Sequence, residues 1–269
     1  MRLTLAPLTN FDIGGIAAAL IAFVAYRVHA LTGGGALAAF VVGTVTYGSL
    51  AAPGTALLLA FFLTSLVLSR IGGQRKRALR DVGKLGPRDG TQVLANGGVA
   101  ALCAVLALHG DARYAIAFGG ALAAATADTW GTEIGTLVRG RPRSILTLRP
   151  IATGLSGGVS LAGTFAEAAG ALFIAAVALL AGFHSVLAIL AGGAGGALAD
   201  SLLGASVQSL RWCPNCGRAC ETEPHACGAN TTQLRGWQWF GNDAVNFACT
   251  LVGAGIAFAL AGGPLQTAM

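Results

Sequence analysis

Long apolar runs, broken by short stretches rich in glycine, proline and basic residues, dominate the chain. None shows the strict alternation of a half-buried strand, so the runs predict helices. They fall at residues 12–28, 36–52, 54–70, 93–109, 113–128, 157–181, 184–204 and 243–262. Several are shorter than the ~20 residues a helix needs to cross the hydrocarbon core, so their boundaries are approximate. A membrane barrel would read as weak alternating segments instead. The first run follows Asp12 with neither a basic leader nor a clear cleavage site, so no cleavable signal peptide is expected. Asp12 itself reads as a helix N-cap.

Composition sets the same class. The chain is 55% hydrophobic and only 10% charged, against about 25% charged in a soluble domain. The expected fold is an all-α polytopic membrane protein of about eight transmembrane helices, one integral-membrane domain over residues 1–269. Charge adds an orientation. Fifteen of the seventeen Lys and Arg residues fall on one side of such a chain, and only Arg2 and Arg113 on the other. By the positive-inside rule the basic side is cytoplasmic, which leaves both termini outside.

Two pairs of segments echo one another. NGGVAAL (96–102) is matched by SGGVSLA (156–162), and ATADTWG (125–131) by ALADSLLG (197–204). Their order suggests a parallel repeat of two helical hairpins, 93–128 and 157–204. Asp128 and Asp200 would then sit at equivalent cytoplasmic ends of two spans. Gly97-Gly98 and Gly157-Gly158 would sit at two helix starts, where free N–H groups suit phosphate and glycines equally suit close packing. The start of the last span adds Asn242, Asp243 and Asn246. With Asn96, Thr132 and Glu133 these make a polar cluster at one depth. Its carboxylates, Asp128, Glu133, Asp200 and Asp243, suit Mg²⁺ held together with a substrate phosphate. Glu167, about ten residues into its span, reads as a mid-membrane carboxylate that either lines a cavity or is protonated.

The loop at 211–236 carries different chemistry. WCPNCGRACETEPHACG (212–228) holds four of the six cysteines. Its CxxC and HxC pairs point to a structural zinc site of Cys213, Cys216, His225 and Cys227, with Cys220 as the alternative fourth ligand. Cys103 and Cys249 lie within spans and read as packing residues.

Together these stretches resemble one family. QVLANGGVAAL (92–102), ADTWGTEIG (127–135), RPRSILTLRPIATGLSGGVSLAGT (141–164), the cysteine loop and GNDAVN (241–246) are similar to the integral-membrane family that includes plant phytyl-phosphate kinase and many uncharacterised membrane proteins. The resemblance covers residues from about 80 to 260. It implies a membrane-embedded kinase that transfers a phosphoryl group from a nucleoside triphosphate, CTP favoured, to an isoprenoid monophosphate. It further implies that Asp128, Glu133, Asp200 and Asp243 hold Mg²⁺. Lys84, Arg88, Gln92, Arg141 and Arg143, with Gly97, Gly98, Gly157 and Gly158, would hold phosphates, and Asn96, Ser156, Asn242 and Asn246 would orient them. No Walker-type loop or soluble-kinase signature is present, so nucleotide use rests on the resemblance. The alternative is a transporter of a phosphorylated lipid or small anion. The site would face the cytoplasm from the cell membrane, and no nucleic-acid partner is expected.

Overall fold

A computed structural model describes residues 9–73, 86–138 and 140–262. Among them are seven helices: α1 (Asn10–Arg27), α2 (Gly33–Arg70), α3 (Gly90–Ala107), α4 (Ala112–Leu137), α5 (Leu161–Leu180), α6 (Val186–Ser206) and α7 (Asn242–Ala261). Between α4 and α5 lies a short antiparallel pair, β1 (Arg143–Ser144) and β2 (Gly158–Val159). Between α6 and α7 lies a three-stranded sheet of β3 (Leu210–Cys213), β4 (Arg218–Cys220) and β5 (Thr232–Arg235), in the order β4-β3-β5. The loop between α6 and α7 is therefore a small folded sheet.

Six of the seven helices are long and apolar enough to cross a membrane. The exception, α4, is the one most enclosed. Every residue from Ile116 to Ala127 is buried. A helix covered by other helices needs small side chains for close approach more than greasy ones for lipid. At its core, Gly120 of α4, Gly192 of α6 and Gly253 of α7 meet backbone to backbone. A Cβ on Gly253 would lie 2.6 Å from the Ala124 Cβ and 2.7 Å from the Gly120 carbonyl oxygen.

The two spans expected at 36–52 and 54–70 are the two limbs of α2. Helical geometry breaks at Ala51 (φ 47°, ψ −145°), two residues before Pro53. Arg88 shows how the limbs run. Its backbone pairs with Ala30 and Thr32 just before the first limb, and its side chain donates to Ser65 near the end of the second. Both outer ends thus lie at one level and the limbs are antiparallel. Among the described residues, seven helices with one folded back give eight helical segments, one for each apolar run. The Ala51 bend, the start of α4, the α5–α6 turn and the end of α7 border one depression, which marks the far side. The opposite side carries Arg27, Arg70, Arg88, Arg211 and Arg235.

Helix ends follow local rules and correct three expectations. Thr9, not Asp12, caps α1. Asp12 N donates to Thr9 Oγ1 while Thr9 N donates to the Asp12 carboxylate, a reciprocal capping box. The helix expected to close at 128 runs on to Leu137, so Asp128 and Glu133 are both helical. Neither Gly-Gly pair opens a helix: α3 starts at Gly90 and α5 at Leu161.

Candidate functional site

Two polar centres lie on the basic side. The first lies about two turns inside three helices, six residues from the near end for Glu167 and Asp200 and nine for Asp128. Asp128 of α4 and Asp200 of α6 bring their carboxyls within hydrogen-bonding reach of each other. Glu167 of α5 faces both. It lies against α4 where Gly131 leaves room, since a Cβ there would meet the Glu167 Cγ at 2.5 Å. Because α5 opens at Leu161, Glu167 is only six residues in, about 9 Å along the axis. That puts it nearer the basic side than the sequence suggested. Carboxylates gathered within membrane helices are costly unless a proton or a cation lies among them. Asp200 Oδ2 is buried, and no hydrogen-bond donor among the described residues reaches it. An acceptor so placed is open to a proton or to a divalent cation, since cations such as Mg²⁺ can be held by one or two carboxylates.

The remaining expected residues spread around this pair. Glu133 lies within electrostatic range of Asp128 and Arg88. Burial holds the Arg88 guanidinium below its ordinary pKa, and the charge of Glu133 acts the other way. Asp243, in the first turn of α7, reaches the start of α3 and accepts from Thr91 Oγ1 at 3.1 Å. Thr91 also donates to Asp89, an acidic neighbour that the sequence reading passed over. Gln92 closes the α3 capping box, its Oε1 accepting from Asp89 N at 3.0 Å. Asn96 donates to the Gln92 carbonyl. Gly97 is a packing glycine inside α3, 3.3 Å from Val42 at its absent Cβ, and Gly98 follows it in the same helix. Asn246 is half-buried on α7, whereas Asn242 and Thr132 are exposed. Arg141 and Arg143 are exposed beside β1, Arg143 donating to the Leu148 carbonyl. Lys84 lies outside the described residues.

Glu221 is the residue the sequence reading missed. It follows β4, yet its carboxylate accepts from Ser156 N at 2.7 Å, Ser156 Oγ at 3.0 Å and Gln208 Nε2 at 3.0 Å. Ser156 is therefore engaged with the sheet domain. Burial pushes Glu221 up to about 7, against the pull of Ser156 and Arg235. Beside it Gly157, at φ +76°, passes so close to Ala205 that a side chain has no room, and Gly158 enters β2. Arg235 donates to the carbonyls of Gly204 and Ala205, satisfying two acceptors at the end of α6. The sheet is thus clamped to the helix that carries Asp200. Only "EPH" and a CxxC loop surround Glu221 in sequence, and neither signals a contact with residue 156.

The second centre is within the sheet. Ligand atoms of Cys213, Cys216, His225 and Cys227 all lie within 4.8 Å of one another. Cys213 Sγ and Cys227 Sγ are 3.6 Å apart, and Cys216 Sγ lies 3.7 Å from His225 Nδ1. A tetrahedral zinc with sulfurs at about 2.3 Å and a nitrogen at about 2.0 Å would space such atoms by roughly 3.5–3.8 Å. The donor set and its spacing could hold a metal such as zinc. Cys220 is buried outside the group. The Cys227 thiol is pulled down to about 6, first by the Ala229 backbone and then by His225, which favours the thiolate a metal needs. Among the described residues no three carboxylates converge as these four ligands do.

Comparison with known proteins places the chain. A family model described as integral membrane protein DUF92 matches residues 16–254. The chain belongs to this family. Protein PGR of Arabidopsis thaliana is 31% identical over 88% of the chain and 91% of its own length. An uncharacterized membrane protein of Methanocaldococcus jannaschii is 38% identical over 55% of the chain and 63% of its own length. Protein VTE6, chloroplastic, of Arabidopsis thaliana is 24% identical over 86% of the chain and 65% of its own length. No solved structure matches. The chain is thus an integral membrane protein by family as well as by its helices.

Proposed function

We propose that this DUF92 protein is a membrane-embedded kinase that transfers a phosphoryl group from a nucleoside triphosphate, CTP favoured, to an isoprenoid monophosphate, giving the diphosphate. The similarity to VTE6 and the resemblance to the phytyl-phosphate kinase family support the reaction class. The observation that carries the reading is the pairing of Asp128 and Asp200 on neighbouring helices, with Asp200 Oδ2 left open among the described residues. Asp128 and Asp200 would hold Mg²⁺, which when bound neutralises charge between the phosphates. Arg88 and Asn96, which line a cavity that Thr129 also borders, would hold and orient the acceptor phosphate. Glu133 would keep Arg88 charged despite its burial. The acceptor oxygen already belongs to a phosphate, so the residues need only position and neutralise. Glu221 would act indirectly, fixing the end of α6 through the sheet. The two Asp-bearing hairpins would be copies of one ancestral unit, and the basic side would be cytoplasmic.

The test uses purified protein with Mg²⁺, labelled CTP or ATP and prenyl monophosphates, reading out prenyl diphosphate. The native protein forms product, and Asp128→Asn and Asp200→Asn each lose it by at least about a hundredfold. Product formation that survives both substitutions would refute the site. No product with any donor, from folded protein, would refute the kinase and turn attention to flux of phosphorylated lipids in proteoliposomes.

A further inference from the structure

An apolar cavity of about 120 Å³ lies between α1, both limbs of α2, and α3. It follows α1 from Gly14 to Ala25, three turns or about 16 Å at 1.5 Å per residue. Ala18, Ala22, Val42 and Phe62 form its wall. Arg88 is its charged lining residue, at the basic end. Thr129 of α4, the residue after Asp128, also borders it, so the cavity reaches the helix that carries the acidic pair. Thr55 turns its hydroxyl back to the Ala51 carbonyl and offers the cavity little polarity.

Shape and chemistry together select a ligand. Among the described residues only the Nη2 group of the Arg88 guanidinium has a hydrogen-bond partner, Ser65, so its other donors can meet an anion. A small hydrophilic anion gains nothing from an apolar wall this long. A void of this size resembles one that admits a benzene-sized group, so it takes a segment of one slender branched chain and not the paired tails of a phospholipid. Entry has a visible route. Helix α1 is held to the bundle by α2 and makes little contact with α3, although both line the cavity. Its outer face, with Ile16, Leu20 and Phe23, is exposed as a lipid-facing surface would be.

We infer that this cavity binds the hydrocarbon chain of a single-chain lipid phosphate, entering from the bilayer between α1 and α3, with the phosphate at Arg88. The inference rests on the kinase reading for the acceptor's identity as an isoprenoid, and the test separates the two. Binding of a radiolabelled prenyl monophosphate is measured on the full-length protein in nanodiscs, alongside Mg²⁺-nucleotide binding and a thermal melt. Ala22→Leu and Ala39→Leu each fill the cavity and lower lipid-phosphate binding about tenfold or more, while nucleotide binding and melting temperature hold. Two variants on different helices keep the test open if one misfolds. Arg88→Ala weakens binding of the prenyl monophosphate but not of the prenyl alcohol. Wild-type binding by both Leu variants would overturn the inference whether or not the protein is a kinase. So would equal competition by a two-tailed phosphatidic acid. Lipid binding that the Leu variants abolish, in a protein that forms no diphosphate, would uphold the cavity and remove the kinase.

Discussion

Replacing Cys216 by serine isolates the metal site from the packing around it. Cys216 is exposed, so the substitution leaves no void. What it removes is one of four candidate ligands. Structural zinc binds small peptides with roughly 12 kcal/mol, so one ligand in four is worth about 3 kcal/mol, a loss of about a hundredfold in affinity. The spacing says where the geometry must give. His225 Nδ1 and Cys227 Sγ are 3.1 Å apart, closer than the roughly 3.5 Å of a tetrahedral site, so metal binding opens that pair by about half an ångström. The assay is zinc content by mass spectrometry, followed by competition with a chromophoric chelator. Trp212, Trp237 and Trp239 lie in or beside the sheet, so tryptophan emission reports its loosening. The wild type holds about one zinc per chain, Cys216→Ser loses it to the chelator, and Cys220→Ala keeps it. X-ray absorption finds three sulfurs and one nitrogen. Zinc retained by Cys216→Ser, or lost from Cys220→Ala, would refute the ligand assignment.

Three further outcomes follow from the same geometry. Gly253→Ala forces a methyl against Ala124 and the Gly120 carbonyl and lowers stability by about 1–3 kcal/mol; Gly255→Ala, with nothing within 4 Å, leaves the melt unchanged. Burial raises Glu221 from 4.5 to about 7, so the fold favours its protonated form. That stabilisation is complete below about pH 4.5 and is lost as pH rises through about 7, up to about 3 kcal/mol. The wild-type minus Glu221→Gln difference in melting temperature therefore changes across that window, and a flat difference would contradict it. Gly131→Leu drives the Glu167 side chain out of its place beside α4 and lowers diphosphate formation more than it lowers melting temperature.

Several features were legible because they are local. Apolar length predicted the passes, since lipid demands internally satisfied helices. Even the α2 fold was visible, because Pro53 interrupts an apolar run too long for one crossing. The candidate metal ligands were legible because Cys213, Cys216, His225 and Cys227 lie within one short loop whose spacing limits their geometry. Helix ends were not. The run TWGTEIG lies past the end expected at 128, yet α4 continues through it to Leu137, with Gly131 and Gly135 packed against α5.

The sequence alone determined what each segment must be: apolar helix, basic end or thiol-bearing loop. These follow from the cost of taking backbone and charge out of water, which is paid residue by residue. Only the tertiary structure decided who meets whom. It set Glu167 beside Asp128 and Asp200, turned Glu133 toward Arg88, and sent Asp243 to the start of α3. It also carried Glu221 from the sheet to Ser156, 65 positions away in the chain. Those meetings depend on helix rotation and crossing, which the small residues of α4, α6 and α7 set by how closely their backbones approach.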